Sequence, residues 1–371
     1  VRVELSAVRT GRRSSAAQIA DRSAQVVKSL LIVRLSAIGD IVFASPLIAA
    51  LRQQWPEAHI AWLVQPECAA LLDQHPDLDT VIVCPLRHWQ RLWRAHRYAE
   101  LWASVRTLRA NLRHYDFDLA LDLQGLLKSG LLTWLSGARE RIGLGSREGS
   151  QWLMTRRLPR GGDVRLIGSE YRFLAATLGL PNADDFKMAV YYSAADALAA
   201  DLVIARESLA NGYAVLCPFT TRPQKHWFED RWAHLAQRLR AELGLIPVLL
   251  GGPSDGDAAR RIVAAADEHL INLVGQTSLT EAAALIDRAA LLIGVDTGLS
   301  HMGIACETPS VLLFGATCPY LETTRANARV LYQPRPCSPC KRHPTCNGRF
   351  DCMQALIVED ILHQADAVLR L

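Results

Sequence analysis

The chain has 371 residues, half of them hydrophobic and 21% charged, with a formal net charge of +4 and a pI of about 8.6. That length and apolar fraction suffice for two buried cores. The charge is too mild to argue for nucleic acid, no apolar stretch reaches the ~20 residues of a membrane span, and residues 1–27 lack the continuous apolar segment of a secretory signal.

Residues 1–27 read as a flexible tail, because the first strand pattern opens near Lys28. The apolar run Leu30-Leu31-Ile32-Val33 reads as a buried strand and leads into the small-residue loop Ser36-Ala37-Ile38-Gly39-Asp40. Residues 41–51 then read as a buried helix with Asp40 at its N-cap. Two roles fit Asp40: a simple cap, or a carboxylate at the mouth of a sheet that takes a proton. Residues 60–64, 81–83 and 119–121 mark further strands. Between the last two lie Arg87, Arg91, Arg94, Arg97, Arg106, Arg109 and Arg113 with a single acid, Glu100, interleaved with Trp89, Trp93, Tyr98 and Trp102. Spacings of three and four place many of these on one helical face. A solvated helix face with buried aromatics fits this pattern, and so does a surface for anionic lipid or an acidic, phosphorylated acceptor.

No G-x-G-x-x-G follows the first strand, since Gly143-Leu144-Gly145 lacks the third glycine, and no Walker A segment is present. A nicotinamide dehydrogenase and a P-loop kinase are therefore poor fits. Residues 157–163 and 181–195 are candidate loops, and a domain boundary is placed at 195/196. Beyond it, Tyr213-Ala214-Val215-Leu216-Cys217 reads as a buried strand. It is followed by Pro218-Phe219-Thr220-Thr221-Arg222-Pro223-Gln224-Lys225-His226-Trp227. Hydroxyls and cations just past a strand end suit a phosphate or diphosphate, because ligands of open α/β sheets bind at that edge. A polar turn before an amphipathic helix at 228–243 is the plainer alternative.

Strand patterns recur at 247–250, 291–293 and 311–314. Asp255 and Asp257 follow Gly251-Gly252-Pro253, a loop after a strand that in such folds often approaches a nucleotide, so one of these acids, Asp257 by preference, is a candidate for ribose hydroxyls. Residues 273–279, with Thr277, are candidates for the base. Gly294-Val295-Asp296-Thr297-Gly298-Leu299-Ser300-His301 is again strand, loop and helix start, where free amides and the helix dipole favour an anion. Ser300 and His301 are adjacent and no G-x-S-x-G elbow exists, so a hydrolase triad is rejected. Asp77/Asp79, Asp116/Asp118 and Asp255/Asp257 form D-x-D pairs that this acid content makes unsurprising. The alternation of strand and helix patterns predicts an α/β chain with two doubly wound parallel sheets.

Near the end, Cys337, Cys340, Cys346 and Cys352 form a C-x2-C-x5-C-x5-C series. Four thiolates suit structural zinc or iron, although the spacing is neither that of common zinc fingers nor of ferredoxins. Reduced thiols without metal are the alternative, and a role anchoring the last helix, about 355–371, which is expected to pack back across the domains, fits either. A metal-dependent binding or redox module built on these cysteines is a separate functional possibility.

In order, SxxGD at 36–40, LDLQGLLKSG at 121–130, TTRxxKHW at 220–227 and VDTGLSH at 295–301 resemble the bacterial heptosyltransferases of glycosyltransferase family 9, over roughly residues 29–335. The resemblance implies a GT-B fold of two Rossmann-like domains facing a cleft. Residues 28–195 would bind the acceptor, and 196–371, with the Cys-rich segment 337–352 and a C-terminal helix, the nucleotide sugar. It implies inverting transfer of heptose from ADP-heptose to the Kdo-lipid A inner core of lipopolysaccharide, on the cytoplasmic face of the inner membrane, with no catalytic cofactor or metal. Asp40 would be the general base and Lys225 the diphosphate contact. Thr220, Thr221, Asp257, Thr277, Asp296, Thr297, Gly298 and His301 would hold the donor, and Ser36, Arg87, Arg91, Gln124 and Lys128 the acceptor. It also favours the anionic-surface reading of the arginine stripe. Another donor sugar, or a protein acceptor, is the alternative within the family, and the Cys-rich tail departs from the members most like this chain.

Overall fold

The computed structural model describes residues 26–181, 186–266, 270–340 and 343–371. Most of the tail expected at 1–27 lies outside the described residues, and Val27 is already buried.

The first sheet contains β1 (Ser29–Val33), β2 (His59–Val64), β3 (Thr80–Val83), β4 (Leu119–Asp122), β5 (Glu140–Leu144) and β6 (Arg156–Leu158), all parallel, in the order β3-β2-β1-β4-β5-β6. β1 is central and wholly buried, with Leu30 paired to both Ile60 and Leu119. Helices cover both faces of such a strand, so it reads as a continuous apolar run rather than an alternating one. The second sheet contains β7 (Tyr213–Cys217), β8 (Ile246–Leu249), β9 (Ile271–Asn272), β10 (Leu291–Val295), β11 (Ser310–Phe314) and β12 (Ala328–Tyr332), also parallel, in the order β12-β11-β10-β7-β8-β9. Taken from β9 to β12 this repeats the order of the first sheet. The strand order reverses between β1 and β4 and between β7 and β10. Crevices open outside the strand ends at such reversals. Residues 36–40, 218–227 and 296–298 all lie at those ends. This is the two-sheet GT-B arrangement that the resemblance implies.

The longer helices are α1 (Ile38–Ala44), α2 (Pro46–Gln54), α3 (Leu86–Arg94), α4 (Tyr98–His114), α5 (Leu127–Leu135), α6 (Ser169–Leu178), α7 (Ala194–Arg206), α8 (Glu229–Leu243), α9 (Gly256–Ala265), α10 (Leu279–Asp287), α11 (Gly298–Ala305) and α12 (Val358–Leu369). The single helix expected over 41–51 is divided at Ser45-Pro46 into α1 and α2. Proline has no N–H to continue the α1 ladder and is well suited to the first position of α2.

Among the described residues the domains meet at several places. α1 packs directly on α11, where a Cβ at Gly298 would lie 2.5 Å from Ile38 and one at Gly39 would lie 2.5 Å from the His301 ring. Ile167 N donates to Glu322 O at 3.0 Å and Leu321 N to Arg165 O at 2.7 Å. The connecting segment places the Ala189 amide 3.1 Å from Ser45 Oγ, and α7 then packs on α10 of the second domain.

Two expectations are corrected. Residues 157–163 are not wholly loop, because 156–158 pair with β5 as an edge strand. The last helix does not pack back across the domains: α12 lies on α8, β11 and β12, with Val358, Ile361, Leu362, Ala365 and Val368 buried in the second core.

Candidate functional site

On the first domain the chain leaves β1 through a loop held from both sides. Arg34 is buried, donates from Nη1 to Leu123 O at 3.0 Å, and accepts at its carbonyl from Trp62 Nε1 at 3.1 Å. The Leu35 amide donates to Gln124 Oε1 at 3.1 Å. Asp40 is the third residue of α1 rather than its N-cap, which is Ala37. Its carboxylate reaches back to the Ala37 amide at 3.0 Å, satisfying a donor that the helix leaves free. The same Oδ2 forms an ion pair with Arg34 Nη2. Burial works against the Arg34 charge, but Tyr171, Asp40 and Glu170 outweigh it and keep the guanidinium protonated. The Asp40 side chain remains 37% exposed and faces the cleft.

On the second domain, the loop after β7 is folded about two inward anchors. His226 Nε2 pairs with Thr220 O at 2.7 Å, and the buried Trp227 donates from Nε1 to Leu356 O at 3.1 Å. With those two turned inward, Thr220, Thr221, Arg222 and Lys225 line the cleft. Lys225 Nζ lies 2.6 Å from Asp296 Oδ2, with both side chains largely buried. Asp296 also accepts from Thr317 Oγ1 on Oδ2, and its Oδ1 is 3.2 Å from His301 Nε2. His301 Nδ1 is 2.8 Å from the hydroxyl of the fully buried Tyr320. An Nε2–H of His301 directed at Asp296 donates to that carboxylate, while Nδ1 meets the Tyr320 hydroxyl. Burial opposes the Asp296 charge, yet His301 and Lys225 hold its carboxyl well below the usual carboxylate range. Phe43 of α1 lies 4.7 Å from the His301 ring, so this network abuts the first domain.

The cleft between the domains, about 690 Å³, gathers Ser36, Asp40, Arg87, Thr220, Thr221, Lys225, Asp296, Thr297, Gly298 and His301. One wall carries fixed cations, hydroxyls and the first-turn amides of α11, a setting for an anion. The other carries a solvent-accessible carboxylate that can accept a proton. Arg91 lies in an adjoining groove with His88, Arg94 and the shared Arg87.

Four candidate residues fall elsewhere. Gln124 is buried, and its side-chain oxygen is used to hold the Leu35 amide. Lys128 is exposed on α5 and is not among the cleft-lining residues. Asp257 points to solvent and pairs with Arg260, because the first turn of α9 carries it away; Asp255, two residues earlier, lines the cleft instead. Thr277 sits in the turn before α10, also outside the lining. Arg34, Thr317 and Tyr320 were not anticipated. Only the approach of chain segments distant in sequence makes them neighbours of Asp40, Asp296 and His301.

Among the cysteines, Cys346 and Cys352 are buried, and Cys337 and Cys340 partly so. Burial raises the Cys340 and Cys352 thiols, and neighbouring thiols raise them further: Cys337 and Cys346 act on Cys340, and Cys340 and Cys337 on Cys352. Among the described residues no group of three or more His, Cys, Asp or Glu is arranged to hold a metal. The segment also braces the fold. Cys352 and Met353 pack against Gly315, while Gln354 O and Leu356 O each accept from Arg231 Nη1 at 2.7 Å.

This geometry has clear relatives. The lipopolysaccharide heptosyltransferase 1 of Pseudomonas aeruginosa is 29% identical over 328 residues, covering 85% of this chain and 87% of that protein. A family 9 glycosyl transferase from Veillonella parvula superposes with a TM-score of 0.77 at 21% identity, covering 92% of this chain and 97% of the other. The E. coli heptosyltransferase WaaC solved with ADP gives 0.71 at 24% identity, covering 92% and 99%. The family model for glycosyltransferase family 9 (heptosyltransferase) matches residues 105–350, and the chain belongs to that family.

Proposed function

We propose that this glycosyltransferase moves heptose from ADP-heptose to the Kdo-lipid A inner core of lipopolysaccharide, as a heptosyltransferase of the first type, with inversion at the anomeric carbon. The observation that carries the reading is the meeting of Asp40 and the Lys225–Asp296 pair in one cleft, each at the strand-order reversal of its own sheet. The P. aeruginosa and E. coli relatives are lipopolysaccharide heptosyltransferases, and WaaC has been solved with ADP-2-deoxy-2-fluoro heptose, which supports the donor and the class of acceptor.

In this scheme the second domain holds ADP-heptose. Thr220, Thr221 and the first amides of α11 hydrogen-bond the diphosphate, and Lys225 opposes its charge. Asp255 is the acid placed for ribose hydroxyls. An acceptor hydroxyl, guided by Ser36 and Arg87, attacks the anomeric carbon on the face opposite the diphosphate. Asp40 takes the hydroxyl proton, the new C–O bond forms as the bond to ADP breaks, and ADP leaves with the electron pair. Lys225 and the helix amides supply the charge compensation that the departing diphosphate needs, so transfer is read as independent of added metal. The acceptor is a membrane lipid, and the enzyme would work at the cytoplasmic face of the inner membrane. Among the described residues no helix is long and apolar enough to cross it.

The test is transfer from ADP-heptose to heptose-free Kdo-lipid A with chelator present and Asp40→Ala as control. Asp40-dependent, chelator-insensitive transfer is the expected result. ADP binding without transfer would redirect the search to another donor sugar or to a protein acceptor.

A further inference from the structure

The cleft leaves one large face of the first domain unexplained. α4 and α5 lie side by side over the same side of the first sheet, burying Leu108, Leu112 and Leu132 in one core. A short helical turn at Ser150–Trp152 packs on the other flank of α5, where a Cβ at Gly130 would meet Ser150. α5 buries Ser129, Gly130, Leu132 and Thr133 and turns Leu127, Leu131 and Trp134 outward, an i, i+4, i+7 ridge. On α4, Trp102, Arg106, Arg109 and Arg113 share one stripe. That stripe faces α5, since Arg113 Nε donates to Leu135 O at 3.4 Å and its guanidinium lies against Gly137.

The result is an apolar ridge bordered by cations. Trp102 is 67% exposed, Trp134 49% and Trp152 80%. Arg106, Arg109 and Arg113 have no carboxylate partner among the described residues. Single exposed apolar residues are ordinary, but here they recur on three elements that pack side by side. Tryptophan beside arginine on one surface matches a bilayer boundary, where indoles settle at the headgroup level and guanidinium groups meet lipid phosphates.

We propose that the α4–α5 face docks the enzyme onto an anionic lipid bilayer, with Leu131, Trp134 and Trp152 entering the headgroup boundary and Arg106, Arg109 and Arg113 binding lipid phosphate. The proposal rests on the reading that the acceptor is a membrane lipid. α5 starts just beyond the end of β4, the sheet edge from which the Asp40 loop also leaves, so docking on this face brings the cleft mouth to the bilayer surface.

The experiment is cosedimentation of the full chain with vesicles of phosphatidylcholine alone or mixed with phosphatidylglycerol. Binding to the anionic vesicles only, weakening with salt, is expected. The double variant Trp134→Ser/Trp152→Ser should lower partitioning roughly tenfold, and Arg106→Glu/Arg109→Glu/Arg113→Glu should abolish the anionic preference. Both should keep wild-type turnover on detergent-dispersed acceptor, which separates docking from catalysis. Anionic-vesicle binding without transfer would support the face while removing the acceptor assignment. Failure to bind anionic vesicles, or variants that bind like the wild type, would overturn the proposal. So would a concentration-dependent dimer lost in the same variants with no vesicle binding, which would assign the face to a second copy of the chain.

Discussion

The two loops that meet in the cleft are built alike: a buried parallel strand, a small-residue turn, a carboxylate and a helix. Their carboxylates nevertheless sit in opposite settings. Asp40 is 37% exposed, with a single cationic partner on its sheet side and an open side toward the cleft. Asp296 is 12% exposed and is committed on both oxygens, to Lys225 and Thr317 on one and His301 on the other. The same local sequence logic thus leaves one carboxylate open toward the cleft, as the proposed proton acceptor requires, and holds the other as an anion paired with a lysine. Environment, not residue type, divides the roles.

That contrast can be broken most severely at Asp40. Asp40→Asn keeps the shape and removes the proton acceptor, so turnover should fall by about 10²–10⁴-fold with ADP affinity nearly unchanged; steady-state kinetics beside calorimetric ADP titration would check it. Lys225→Met removes the cationic partner of Asp296 and should affect two properties at once. It leaves a nearly buried carboxylate short of its cation, destabilising the fold by about 3 kcal/mol, and it weakens ADP binding. Urea unfolding and ADP titration of one preparation would register both losses, whereas Asp40→Asn, which deprives the buried Arg34 of its carboxylate, should lose stability but keep ADP binding.

A smaller effect is expected at the seam between the loops. Gly39→Ala places a methyl group against the His301 ring, and rigid rings on a packed helix yield little. The strain of a crowded contact costs about 1–3 kcal/mol, and turnover should fall with it; a lowered Tm together with reduced kcat would be the signature. The mildest test is pH. A carboxyl whose folded pKa lies below its unfolded value contributes stability that is full above the unfolded value, about 4. That contribution is lost as pH falls toward the folded value. Asp296 is such a group, so acid unfolding below about pH 4 should flatten in Asp296→Asn. Urea midpoints taken across that range would show it.

Much of the fold was legible because its central strands are fully buried. Residues 30–33, 213–217 and 291–293 announce themselves as apolar runs. β5, β6, β9 and β12 went unread for the complementary reason: they lie toward the sheet edges, β6 and β9 are only three and two residues long, and β5, β6 and β12 carry Glu140, Arg141, Arg156, Arg157 and Arg329 where solvent is near. In the site, residues carried by strand-end loops could be listed from sequence, including Asp40, Lys225 and Asp296. Helical phase decided the misplacement of Asp257, because a turn of two residues separates the cleft from bulk solvent there. Gln124 was read as a contact for a ligand when the Leu35 amide already claims it. Tyr320 and Thr317 carry no pattern of their own. Their significance comes from β11 returning the chain to the side of β10, a pairing that no local window contains.

The bonds from Trp227 and Arg231 to Gln354 and Leu356 also set an order of assembly. The first sheet has all its strands once residue 158 has been made, and domains generally form as units in the order of synthesis. The loop bearing Lys225 is different. Its anchor, Trp227, has nothing to donate to until Leu356 emerges, more than a hundred residues later. The half of the cleft that faces Asp40 is therefore among the last parts of the molecule to take shape. A chain interrupted before residue 351 would present an intact first domain opposite a lysine loop without its backing.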